Sequence, residues 1–93
     1  MKYRIKFTSQ FKKDIKLAKK QNKDLNKLFD VVNTLASGKP LDDKYKDHSL
    51  LGKYRQNREC HIEPDWILMY EINEEYLVLV LNRLGTHADL FKK

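Results

Sequence analysis

Polar and apolar residues alternate from the start of the chain. In Lys2-Tyr3-Arg4-Ile5-Lys6-Phe7, Tyr3, Ile5 and Phe7 share one face, the period-two signature of a half-buried strand over residues 2–7. The period then changes. Thr8 or Ser9 offers a helix N-cap, and Phe11, Ile15 and Ala18 follow at helical spacing with lysines around them. Gln21-Asn22-Lys23 breaks this run. Asp24 opens a second helix whose Leu25, Leu28, Phe29, Val32, Leu35 and Ala36 fall on one stripe, and Gly38 and Pro40 close it. Residues 39–53 show no period and read as a long loop, a length that in compact domains is often functional. Three strands follow, over 54–62, 66–73 and 76–84, with Asn73-Glu74-Glu75 as the tight turn between the last two. Residues 85–91 read as a turn into a short helix or docked tail. The order β-α-α-β-β-β predicts an α+β fold, with both helices packed on one face of a mostly antiparallel four-stranded sheet.

Length and charge narrow the class. The chain has 93 residues, which predicts a single domain over 1–93 with one modest core. Its net charge is +6, so an anionic partner is the first expectation. The excess is uneven: residues 1–39 hold 11 Lys and Arg against 3 Asp and Glu, whereas residues 40–93 hold 8 against 10. Lys12, Lys13, Lys16, Lys19 and Lys20 form the densest group; they read either as the solvated side of a helix or as a polyanion contact. A lone cysteine, Cys60, excludes an internal disulfide, fits a reducing cytosol and reads as core filling. Neither a bilayer-spanning apolar run nor a signal-peptide pattern is present, so the expectation is a soluble, cytoplasmic protein with no membrane partner.

The candidate chemistry centres on His61-Ile62-Glu63-Pro64-Asp65-Trp66. Pro64 fixes its own φ and lacks a ladder donor, so it marks a turn and places His61 and Asp65 at neighbouring ends of paired strands. The other two histidines, His48 and His87, lie in the long loop and just past the last strand, and hairpin connections can bring all three together. Imidazole both takes and gives protons near neutral pH. Asp65 reads as a partner that orients a histidine, or as a turn aspartate bonded to its own backbone. Trp66 and Phe91 read as stacking surfaces for bases or as core residues. Arg58 and Arg83 read as cations for a phosphate or as cross-strand charge partners. A zinc site built from the histidines with Cys60 or Asp65 is disfavoured, because Cys60 and His61 are adjacent and point to opposite faces of a strand.

Three segments in order resemble the YafQ-type toxins, a branch of the RelE/ParE superfamily: Tyr45-Lys46-Asp47-His48-Ser49-Leu50, Arg58 through Tyr70 with its H-x-E-P-D-W core, and Arg83-Leu84-Gly85-Thr86-His87-Ala88-Asp89-Leu90-Phe91. The resemblance covers essentially the whole chain. It implies a bacterial mRNA endonuclease that works in the ribosomal A site against 16S rRNA and is inhibited by a cognate antitoxin, with no metal or cofactor. It carries the catalytic roles onto His48, His61, His87, Asp65 and Arg83, and substrate contacts onto Trp66, Phe91 and Arg58. Lys12, Lys13, Lys16, Lys19 and Lys20 would meet the ribosome. Glu59 stands where an aspartate is expected. On this resemblance His87 is the general acid and His48 or His61 the base. A gyrase-inhibiting toxin of the ParE kind, or a nucleic-acid-binding regulator without catalysis, are the alternative readings.

Overall fold

A computed structural model describes residues 1–91. β1 (Arg4–Phe7) leads into α1 (Ser9–Lys20) and α2 (Leu25–Ala36). There follow β2 (His48–Ser49), β3 (Arg58–Glu63), β4 (Trp66–Asn73), β5 (Val78–Gly85) and α3 (His87–Leu90). The strands form one sheet in the order β1-β5-β4-β3-β2, antiparallel except where β1 runs parallel to β5.

The helix boundaries follow from capping chemistry. Thr8 is the N-cap of α1, its hydroxyl accepting from the Phe11 amide at 3.0 Å. Asn22 adopts a left-handed φ of 57° just past α1, and the amides of residues 21–23 return to carbonyls of the last turn. The Asp24 carboxylate then caps α2 through the Asn26 amide. Both helices lie on one face of the sheet. There Phe11, Ala18, Leu28, Val31, Val32, Leu35 and Ala36 pack with Cys60, Ile62, Trp66, Leu68, Tyr70, Leu79, Leu81 and Leu84. The opposite face carries a smaller cluster of Ile67, Met69 and Leu90, flanked by Leu50, Tyr54 and Phe91.

Four expectations need correction. The sheet has five strands, because two residues of the expected loop pair with β3. The same loop also holds two single-turn 3-10 segments, Asp43–Tyr45 and Gly52–Tyr54, so the third strand begins at Arg58 instead of Tyr54. The fifth begins at Val78 because Leu77 takes a left-handed φ of 53° and leaves Tyr76 in the turn. The alternation in β1 does not give one buried face: Tyr3 is 4% exposed but Phe7 is 52% exposed. Phe7 instead joins Phe29 and the stems of Lys12, Lys16 and Lys19 around an apolar groove. Among the described residues no helix is long and apolar enough to cross a membrane.

Candidate active site

Side chains alternate across a strand, so Cys60 and Ile62 of β3 enter the helix-side core while Glu59 and His61 point to the other face. Three separate elements bring imidazoles to that face. His48 arrives on β2. The Asp42 carboxylate caps the first 3-10 turn through the Lys44 amide, and Lys46 ends that turn at a left-handed φ of 49°. The chain thus reverses so that His48 lies opposite Glu59 and Ser49 opposite Arg58. Asp47 fixes this arrangement by accepting from Arg58 Nη2 at 2.9 Å and from the Tyr70 hydroxyl. The third histidine comes from α3, where Thr86 and Asp89 form a reciprocal capping box that sets His87 at the first helical position.

All three rings are held by Nδ1. His48 Nδ1 lies 2.8 Å from the Lys46 carbonyl oxygen, His61 Nδ1 3.2 Å from that of Pro64, and His87 Nδ1 2.9 Å from Asp65 Oδ1. Carbonyl and carboxylate oxygens only accept, so each Nδ1 carries a proton and each Nε2 is left to face the site. The three Nε2 atoms converge on one oxygen, Glu59 Oε1, at 3.2 Å from His48, 3.5 Å from His61 and 4.0 Å from His87. Glu59 is 5% exposed, and its second oxygen has no hydrogen-bond partner among the described residues. A neutral Nδ1–H imidazole would present a lone pair to that carboxylate. With Glu59 ionised, the arrangement therefore requires at least one imidazolium, its Nε2 proton shared within reach of the other two rings. Neighbouring ring centroids are 6.3 Å apart for His48 and His61 and 5.3 Å for His61 and His87.

Asp65 is fixed from the other side. The His87 backbone N–H donates to Asp65 Oδ1 at 3.0 Å, and this bond, followed by that from the His87 ring, holds the Asp65 carboxyl below its ordinary range. Phe91 stands beside the cluster, its ring 6.3 Å from His87 and edge-on to Tyr54 at 5.3 Å. The fold therefore gathers His48, His61, His87 and Asp65, with Phe91 at the margin.

Other expected site residues lie elsewhere. Trp66 is 2% exposed inside the helix-side core, so its reading as a base-stacking surface is corrected: burial leaves it no face for a substrate. Arg58 is on that same side of the sheet and is committed to Asp47 and Ser49, so it braces β2 and makes no approach to the histidines. Arg83 shares a row across the site face with Met69 and Glu59. Two strand spacings separate Arg83 from Glu59, roughly 10 Å, and its guanidinium turns to Asp14 of α1 at 2.9 Å. Lys12, Lys13, Lys16, Lys19 and Lys20 are all exposed on α1, which packs on the sheet face opposite the histidines. Cys60 is fully buried, and burial first, then nearby carboxylates, pushes its thiol up to about 12. It takes no part in a metal set; the donors that do come within 4.8 Å of one another are Glu59, His61 and His87.

Sequence reasoning missed Glu59 as a functional residue, although its i, i+2 relation to His61 on a strand already places both on one face. It also missed Asp14, whose partners lie far away in sequence.

A profile of the family described as "Bacterial toxin of type II toxin-antitoxin system, YafQ" matches residues 3–92. The chain is 44% identical over 88 residues to the mRNA interferase toxin YafQ of Escherichia coli strain K12, covering 94% of each chain. Its fold is similar to the toxin in the crystal structure of the E. coli DinJ–YafQ complex, with a TM-score of 0.88 and 43% identity over 96% of this chain and 98% of that one. A metal-bound toxin from Helicobacter pylori is equally close, at a TM-score of 0.91 and 44% identity over 96% and 99% of the two chains.

Proposed function

The chain belongs to the YafQ family of bacterial toxins of type II toxin–antitoxin systems, and from that premise we propose that it is a ribosome-dependent mRNA endonuclease, a single toxin domain acting in the bacterial cytoplasm. The observation that carries this reading is the convergence of three Nε2 atoms on Glu59 Oε1, with every Nδ1 already tied down. Such an array can hold one proton to give while keeping a lone pair ready to take another. That is what cleavage through the 2′-hydroxyl requires.

His87 is the general acid. Its Nδ1 is held by the Asp65 carboxylate, an anion in ion-pair reach of the ring, whereas His48 and His61 are anchored by neutral carbonyls and supply the base. The base takes the 2′-hydroxyl proton as the O2′–P bond forms. His87 Nε2 gives its proton to the 5′-oxygen as the P–O5′ bond breaks, leaving a 2′,3′-cyclic phosphate and a 5′-hydroxyl. Glu59 is a positioning residue that keeps the shared proton in the array. The imidazolium meets charge developing on phosphorus, while Arg83 stays paired with Asp14 away from the histidines. Phe91 bounds the substrate beside His87. The exposed α1 lysines, on the far face, contact 16S rRNA and hold the catalytic face towards the A-site message. A cognate antitoxin binds and inhibits the toxin; the E. coli YafQ toxin forms a complex with DinJ.

Primer extension on a translated message tests this reading. The parent chain should cut within the A-site codon only when ribosomes are present, and His87→Gln should lose cutting by 10²-fold or more, on the order expected for a general acid, while still binding ribosomes. Undiminished cutting by His87→Gln would refute it.

A further inference from the structure

A groove of about 540 Å³ opens beside His61. Its floor is the end of β3 and the Glu63-Pro64 turn, and its walls are Lys27 of α2 and the Lys44-Tyr45-Lys46 turn. β2 pairs with β3 only at Arg58 and Glu59, so this part of the strand is left as an open edge. The groove is therefore continuous with the catalytic face and accessible from it.

Its charge is set by what is already paired. Glu63 is bound by Lys23 at 3.0 Å and by Lys27 at 3.1 Å, which leaves Asp30 as the other carboxylate in the wall. Lys44 and Lys46 have no carboxylate within ion-pair distance among the described residues. Lys46 has two attachments to the site. Its carbonyl anchors His48 Nδ1 at 2.8 Å, and the residue also lines the groove. It does this at a left-handed φ of 49°, a conformation that costs a non-glycine residue on the order of 1 kcal/mol and that glycine adopts freely. A strained residue whose carbonyl orients a catalytic ring and which also lines the adjoining groove joins that groove to placement of the ring.

We propose that this groove is an RNA subsite: it seats the nucleotide adjoining the scissile phosphodiester, with the Lys44 and Lys46 ammonium groups on its phosphate. The assignment rests on the ribonuclease reading above and adds to it where the flanking strand runs, along the open edge of β3 instead of across α3. Polyanion recognition by two ammonium groups without carboxylate partners among the described residues, one of them over the Tyr45 ring, needs no base contact, so the subsite positions the strand without itself reading sequence.

The test measures equilibrium binding to mRNA-programmed ribosomes in a His87→Gln background, in which the mechanism above leaves the message intact. Lys46→Gly removes the ammonium while keeping the backbone conformation and the His48 anchor; Lys44→Ala removes the second cation. Each is expected to weaken binding and to lower the log–log salt slope by about 1. A message with an uncharged methylphosphonate at the phosphate adjoining the cut should abolish the difference between parent and variants. The subsite is refuted if both variants bind with the parental slope. It is equally refuted if the loss persists when each flanking phosphate is neutralised in turn, because the lysines would then be meeting rRNA. Cutting that survives in the His87→Gln background would overturn the nuclease mechanism while leaving the binding comparison interpretable.

Discussion

Replacing Glu59 by glutamine is the most informative single change in the site. The side chain keeps its shape but loses the negative charge on which three imidazole Nε2 atoms converge at 3.2, 3.5 and 4.0 Å. Two unit charges 4 Å apart attract by about 4 kcal/mol at an effective dielectric constant of 20. Desolvation of the buried carboxylate offsets part of this, and charged hydrogen bonds measured by substitution contribute about 2–3 kcal/mol. Loss of that much stabilisation of the protonated array corresponds to a 30- to 150-fold drop in cutting at neutral pH, at roughly tenfold per 1.4 kcal/mol. The assay is single-turnover cleavage on programmed ribosomes as a function of pH. Circular dichroism and thermal melting check that the fold persists. A Glu59→Gln chain that cuts at the parental rate with the parental pH dependence would show that Glu59 merely fills space and that the proton-sharing argument is wrong.

Further expectations follow from the same geometry. Glu59, His61 and His87 present donors within 4.8 Å of one another, so a divalent cation such as Zn²⁺ or Cu²⁺ would occupy the Nε2 atoms that move protons; added metal should inhibit cutting and EDTA should reverse that inhibition. The Asp65 carboxyl is held below its ordinary value of 3.8 by the His87 amide and then by its ring. Its contribution to stability is therefore present above that value and is lost as pH falls below it, through the folded-state value. Carboxyl NMR titration should give an Asp65 midpoint below 3.8, moving up in His87→Ala. Burial raises the Cys60 thiol from 9.0 to about 12, so it should resist alkylation in the native protein and react at once on unfolding; its contribution to stability is lost above pH 9. Asp14→Ala should destabilise the fold by about 2 kcal/mol in urea unfolding, because the carboxylate holds the Arg83 guanidinium and the Leu84 amide together.

Much of the scaffold is legible in periodicity because one face of each long element is buried. α2 and β4 match their expected extents, since a stripe of Leu28, Val32, Leu35 and Ala36 and the near-continuous apolar run of β4 each admit only one packing. β2 is not legible: two residues carry no period, and they pair only because Lys46 turns left-handed and Asp47 is pinned by Arg58 and Tyr70. The convergence of the histidines depends on that same short pairing, so spacing alone leaves it open. Trp66 misleads for a related reason. Its neighbours His61 and Asp65 are at the site, but alternation along β4 sets Trp66 on the same face as Leu68 and Tyr70, inside the core. Burial and register, which decide what an aromatic or an arginine can touch, are tertiary properties that residue order does not display.

The chemistry of the cut ends tests the central claim most directly. Messages cleaved by the purified toxin on ribosomes should carry a 2′,3′-cyclic phosphate on one fragment and a 5′-hydroxyl on the other, readable by resistance to poly(A) tailing until mild acid opens the cyclic group to a monoester and phosphatase removes it. Fragments with 3′-hydroxyl and 5′-phosphate ends would mean that water and not the 2′-hydroxyl attacks phosphorus, and three imidazoles sharing a proton on Glu59 would not be the catalytic device of this chain.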